Sequence, residues 1–303
     1  MEELRISCFL RRDDTAMRVY TFEEQLAAFE QATLMDDAFM RVFFKDNIPC
    51  VQIMLRVILD KPDIVVDSAE VQYVLSAGED SHYVRLDIWA HESNGTQIDT
   101  EIQNESSGAS PQRARYNSAM LDVNILKPKE DYSVLKKRES YVIFITEKDV
   151  LGEGEPIYFI DRVIKKSGKP FNDGAHIVYV NASHQDLNTE LGRLMHDFHC
   201  VKPKDMMNPV FAEKAGESKG VRRVGVFQDM IDDMMQGMRQ EMEAQFKAEG
   251  RAEGKAEGRA EGKAEERTSI AQNFIRLGTV ALDEIAKACG LTLQQVQELA
   301  ARK

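Results

Sequence analysis

The sequence predicts an α/β domain built on a mixed sheet, followed by an α-helical C-terminal extension. Three observations carry this. The apolar period is helical from 21 to 60 and changes to two from 63 to 104. Asn94-Gly95 separates two alternating runs, the pattern of a β-hairpin. A helical run at 110–126 then leads to Tyr141–Thr146, a continuous apolar stretch suited to a strand buried on both faces. Helix, three strands, helix, strand is the order of a layered α/β fold.

Each element has a local reason. TFEEQLAAFEQA opens with Thr21 as a cap candidate and Glu24 three residues on. MDDAFMRVFFKD and NIPCVQIMLRVILD follow at helical spacing, and Lys61-Pro62 ends the second. DIVVDSAEVQYVL, SHYVRLDIWAHE and TQIDTEIQ alternate as strands, with a type I′ turn expected at Asn94-Gly95. PIYFIDRVI and HIVYVNA add two more strands. Past 200 the texture changes. Phe227, Met230, Ile231, Met234, Met235 and Met238 form one helical stripe, fit to pack on its own domain or on a partner helix. The four-residue repeat of 247–266 puts like charges at i, i+4, and its glycines weaken a helix, so a solvated spacer is expected. The tail, 268–303, has a helix-turn-helix rhythm but a recognition helix basic only at its end; a small docking module is the expectation. The division is therefore 1–225 as the main domain, 226–267 as Met-rich helix and linker, and 268–303 as a helical module.

Composition narrows the function. The chain has 303 residues, 43% apolar, and no run long enough for a membrane helix. Its net charge of −12 would repel nucleic acid except at a local basic patch. Cys8, Cys50, Cys200 and Cys289 lack metal spacing, and the charged N-terminus lacks a signal-peptide core, which predicts a reduced, cytoplasmic protein. His196, His199 and Cys200 suggest zinc, but no second ligand cluster completes a site, so a structural role is expected. No phosphate-binding loop or nucleophile triad is present.

The hairpin concentrates acids. Alternation places Asp99, Glu101 and Gln103 on one face of their strand and Arg85, Asp87 and Trp89 on one face of the other. The turn lets these polar sets meet, with Leu86, Ile88, Ile98 and Ile102 opposite. Converging carboxylates suit Mg²⁺, a hard cation; buried without one, they would hold their protons. The alternative is solvated acids on an open sheet face. Lys61-Pro62-Asp63 spells a Pro-Asp pair, yet it precedes the hairpin by a whole strand, and Asp63 is expected to start a strand or cap a turn.

Asp87, thirteen residues, then Glu101-Ile102-Gln103 resembles the D…(D/E)xK signature of the PD-(D/E)XK nuclease superfamily, with Gln in place of Lys. More closely, the chain resembles the bacterial family of recombination-promoting nucleases and transposases, which carries this ExQ form. MDDAFMRVFF is similar to its D-x-x-F helix through Asp36 and Phe39, although Met40 stands where Lys is frequent. RARYNSAM is similar to its R-x-x-Y helix through Arg113 and Tyr116, and the strands at 141–182 match its later strands. The resemblance implies a restriction-endonuclease-like core and metal-dependent DNA endonuclease activity in recombination, mobile DNA or defence. It implies that Asp87, Glu101 and the Ile102 carbonyl hold Mg²⁺, with Mn²⁺ or Ca²⁺ as alternatives, and that Gln103 orients water where Lys usually stands. Asp36, ahead of Glu23 and Glu24, is the first candidate for a further acid, and Asp99 is another. Gln112 and Tyr116 match a Q-x-x-x-Y arrangement seen elsewhere in the superfamily. Arg113, Arg115 and the run Lys127, Lys129, Lys136, Lys137 and Arg138 would grip DNA if they line one edge; the alternative is an ordinary solvated basic face. Self-association through the C-terminal helical region is expected. The competing reading is a nuclease scaffold that has lost activity and serves as an interaction module.

Overall fold

The computed structural model describes residues 22–76, 83–104, 106–220, 263 and 265–301. The Thr21 cap, the Glu23 side chain, the Met-rich stripe and most of the charged repeat lie outside the described residues. The chain divides into two compact units, Met1–Ile231 and Asp232–Lys303.

In the first unit, α1 (Phe22–Gln31), α2 (Asp37–Phe44) and α3 (Ile48–Leu59) precede the sheet. α2 turns Phe39, Met40, Phe43 and Phe44 inward. Phe43 meets Phe44 at 4.9 Å and Phe211 at 5.1 Å between ring centroids. Each such buried ring stabilises the fold by about 1.5–3 kcal/mol. α3 begins where Asn47 accepts from the Cys50 N–H, has Pro49 in its first turn, and ends at Asp60 in the left-handed conformation.

Six strands form one mixed sheet in the order β1-β2-β3-β4-β8-β5. They are β1 (Val66–Leu75), β2 (Val84–Glu92), β3 (Gln97–Gln103), β4 (Ser140–Thr146), β5 (Ile157–Ile160) and β8 (Ala175–Asn181). β1, β2 and β3 are antiparallel; β3, β4 and β8 are parallel; β5 runs antiparallel along β8. The PIYFIDRVI segment, expected as one strand, is two: after β5 the chain leaves the sheet, and β6 (Val163–Ile164) pairs with β7 (Lys169–Pro170) as a separate ribbon. An Arg162–Asp173 ion pair ties its base.

The β2–β3 turn also departs from expectation. A type I′ turn needs positive φ at both central residues, but here Gly95 alone has it, at +94°. Gly95 N–H donates to the Glu92 carbonyl and Glu92 N–H to the Thr96 carbonyl, so three residues form the loop and Gly95 makes the left-handed step.

α4 (Pro111–Ile125) buries Ala114, Asn117, Ser118, Met120, Leu121 and Ile125. It packs on β3 and β4, where Ala114, Met120 and Leu121 share a core with Trp89, Val142, Phe144 and Tyr179. Ile143 and Ile145 alternate with that set and are fully buried, so the middle of the sheet is covered on both sides. α5 (Glu190–His199) and α6 (Pro209–Gly220) pack with α3 and α2.

In the second unit, α7 (265–277), α8 (Leu282–Cys289) and α9 (Leu293–Ala301) bury Ala271, Ile285, Ala286, Cys289 and Val296. Gly290, at φ +63°, closes α8, and Thr292 and Gln295 cap each other at the start of α9. No helix among the described residues is long and apolar enough to cross a membrane.

Candidate active site

Strand register brings the acids together. Trp89 pairs with Asp99 and Ile88 with Thr100, and beyond that last pair the Ile102 N–H donates to the Asp87 carboxylate, which brings Asp87 beside Glu101. Asp99 and Glu101 are both fully buried on the face that α4 covers, and Asp87 is partly buried. Ile88, Ile98 and Ile102 are buried apolar residues that alternate with the acids, whereas Leu86, expected on their face, packs in the same core as Trp89 and Ala114. The solvated-acid alternative is therefore excluded: two of these carboxyls have no solvent contact at all.

One side-chain amide touches both carboxyls of the motif. Gln103 Nε2 lies 3.2 Å from Glu101 Oε2 and 3.5 Å from Asp87 Oδ2. Asp87 Oδ2 also accepts from the Ile102 N–H at 3.0 Å. Gly108 makes room for this arrangement, since a Cβ there would stand 2.0 Å from Gln103 Oε1. From α4, Arg113 donates to Glu101 Oε2 and to the Gly108 carbonyl. Asn117, one turn further on, donates to Asp99 Oδ2 at 2.9 Å and reaches Glu101 Oε1 at 3.5 Å. From β1, Gln72 Nε2 reaches Asp87 Oδ1 at 3.4 Å.

The electrostatics follow from this crowding. Burial first, then the charges of Asp99 and Asp87, push Glu101 up to about 10 against the pull of Arg113. Burial pushes Asp99 up to about 8, against its Asn117 hydrogen bond and Arg113. Asp87 is raised chiefly by burial, with the Ile102 N–H opposing. One guanidinium faces three carboxyls, so full ionisation leaves a double negative charge in a low-dielectric space. Protons or a divalent cation must neutralise it.

The donor set fits a hard divalent cation. It is made of oxygens, and Asp99 Oδ1 and Gln72 Oε1 are buried there with no hydrogen-bond partner. Asp87 and Glu101 would hold the ion, with Asp99 and the Ile102 carbonyl as further oxygen donors on the same strand.

Other sequence candidates fall elsewhere. Asp36 accepts from the Thr33 N–H and hydroxyl, and its charge acts on Lys219. Its neighbour Asp37 is the acid of α2 whose charge bears on Asp87, and Arg41, bonded to Asp37, opposes it. Gln112, Arg115 and Tyr116 are exposed on the first turns of α4. The basic run from Lys127 to Arg138 follows the far end of this fifteen-residue helix, roughly 20 Å from its start. Within it Arg138 pairs with Glu130, while Lys127, Lys129, Lys136 and Lys137 are exposed. Asp63 lies at the opposite end of the sheet, lining a pocket with Lys61, Glu92 and Glu139.

His196, Asp197 and Cys200 lie within 4.8 Å of one another and form a second metal-sized group. Asp197, however, uses both oxygens to accept from the Met207 and Asn208 N–H groups at 2.6 and 2.8 Å, and burial pushes the Cys200 thiol up to about 11. This arrangement pins the chain after α5.

Sequence reasoning missed Gln72, Asn117 and Asp37. Asn117 had a readable signal, since it stands four residues from Arg113 and so on the same helix face. Gln72 had none.

A model of the PD-(D/E)XK nuclease family transposases matches residues 33–193, more than half of the chain, taking in every strand among the described residues and the whole acid cluster. No curated protein and no solved structure matches the chain.

Proposed function

The chain belongs to the PD-(D/E)XK nuclease family transposases, and from that membership we propose that it is a metal-dependent endonuclease that hydrolyses DNA phosphodiester bonds at Asp87 and Glu101. The observation that carries the reading is the shared reach of these two carboxyls, which one Gln103 nitrogen contacts at once. When bound, a divalent ion supplies Lewis-acid activation of a phosphate oxygen and of water. Mg²⁺ is the proposed ion.

The remaining work falls to the chain itself. Gln103 is neutral, so it orients water or phosphate by hydrogen bonding and takes up no proton. Asn117 holds Asp99 and Glu101 in register from behind. Arg113, over a third exposed, neutralises part of the Glu101 charge and presents its outer edge to the substrate side, where a phosphate is an alternative partner. Tyr73 stacks on Trp89 at 4.5 Å and packs the β1–β2 side of the same core.

A second reading, a catalytically silent nuclease scaffold, is favoured by one feature: the position usually held by Lys is a neutral Gln bonded to both acids. Plasmid cleavage separates the two. Purified protein is incubated with supercoiled plasmid and Mg²⁺, Mn²⁺ or Ca²⁺, beside Asp87→Ala and Glu101→Ala. The nuclease reading expects nicking by the wild type and none by either variant. Cleavage surviving both substitutions, or absent with every metal, refutes it.

A further inference from the structure

We propose that Gln72 completes the cation site, its side-chain amide oxygen serving as a neutral ligand beside Asp87; this rests on the reading of Asp87 and Glu101 as the metal-holding pair. Gln72 lies in the middle of β1, between Val71, paired with Ile88, and Tyr73, paired with Leu86, and therefore opposite Asp87. Its φ is +58°. The other described non-glycine residues with positive φ are Asp46, Asp60, Lys129 and Asn172, all outside strands. A Gln held in this conformation inside a strand is strained, and strain of this kind collects at functional sites.

The register does not account for it. The pairing of β1 with β2 keeps one offset on both sides of Gln72, and its irregularity falls at Val66–Ser68. No extra residue has been inserted at Gln72, so a bulge is not the cause. The conformation interrupts the alternation of β1, so that Tyr73 reaches the face of Trp89 and stacks on it, and the Gln72 amide lies at the acid cluster, where Nε2 meets Asp87 Oδ1. The other end of that amide, Oε1, is buried and without a hydrogen-bond partner. Three side-chain atoms among the described residues are in that condition, and two of them, Gln72 Oε1 and Asp99 Oδ1, belong to this cluster. A cation would satisfy both of these acceptors beside the two ligand carboxyls, and neutral amide oxygens are ordinary partners of carboxylates around hard divalent ions.

The test is Mn²⁺ binding to the full chain by titration calorimetry, with melting in EDTA as a folding control. Gln72→Gly accepts the φ without strain, so it is expected to melt in EDTA close to the wild type yet bind Mn²⁺ about ten-fold or more weakly, the range seen when groups supporting a metal site are removed. Gln72→Glu keeps an oxygen and loses the donor to Asp87; it is expected to bind at least as tightly as the wild type. Weakened binding in Gln72→Glu would mean that the amide acts only as a donor to Asp87, and would overturn the ligand role. So would unchanged affinity in Gln72→Gly while Asp87→Ala has lost binding. If Asp87→Ala binds as the wild type does, or if the wild type takes up no Mn²⁺, the acidic-pair reading fails and the inference with it.

Discussion

Glu101→Gln should stabilise the metal-free protein, and progressively more as pH rises above the ordinary carboxylate range. The unfolded chain releases the Glu101 proton near 4.5, whereas in the folded chain burial and the neighbouring acids hold it to about 10. A group raised in this way favours the folded state at low pH, and its contribution is lost as pH climbs from the first value toward the second. Each pH unit in that interval costs about 1.4 kcal/mol. Between pH 5 and pH 8 the ceiling is therefore about 4 kcal/mol. Arg113 lies against Glu101 and favours its ionised form, and Asp99 competes for the same proton. Half the ceiling, about 2 kcal/mol, is the expected gain for the neutral side chain at pH 8. That corresponds to a melting temperature about 4–8 °C higher than wild type for a domain of this size. Calorimetric melts in EDTA at pH 5 and pH 8 measure it. The variant should match the wild type at the lower pH and exceed it at the higher. An identical difference at both, or a wild type more stable at pH 8, would refute the buried-carboxylate account.

Three further outcomes are expected. Asn117→Leu removes the donor to fully buried Asp99 and should destabilise the metal-free protein by about 1–3 kcal/mol at pH 8, with a smaller loss in melts at pH 5, where Asp99 keeps its proton. Gly108→Ala places a Cβ 2.0 Å from Gln103 Oε1; the flexible Gln should swing away, leaving the melting temperature nearly unchanged while plasmid nicking slows by about ten- to a hundred-fold. A chain ending at residue 225 should elute from a sizing column as a smaller assembly than the full chain if the C-terminal region mediates self-association; equal monomers in both would end that proposal.

Much of the architecture was legible because it rests on periodicity. The switch from helical spacing in IPCVQIMLRVIL to alternation in VRLDIWAHE marks the boundary between α3 and the sheet, and SYVIFIT has the unbroken apolar character of a strand covered on both faces. The shared face of Asp99 and Glu101 was legible for the same reason, since a period of two fixes the face once the strand is placed, but the ladder between the two strands stops at Ile88 and Thr100, short of Asp87. What escaped depends on context that a period cannot carry. Nothing in VDSAEVQYVL marks Gln72 as left-handed, because that conformation is imposed by its surroundings and not by residue type. The turn at Asn94-Gly95 is not type I′ because β2 pairs only as far as Glu92, which leaves three residues in the loop, and loop length selects turn type. The basic run after α4 sits away from the acids because a helix that starts at the end of β3 must run back along the sheet before β4 begins.

The central claim, that Asp87 and Glu101 share one divalent cation, is tested most directly by anomalous diffraction from a crystal soaked in Mn²⁺. A single strong peak is expected between these two carboxyls, in contact with both. A peak at His196, Asp197 and Cys200, or in the pocket of Glu92 and Glu139, with none between Asp87 and Glu101, would contradict it.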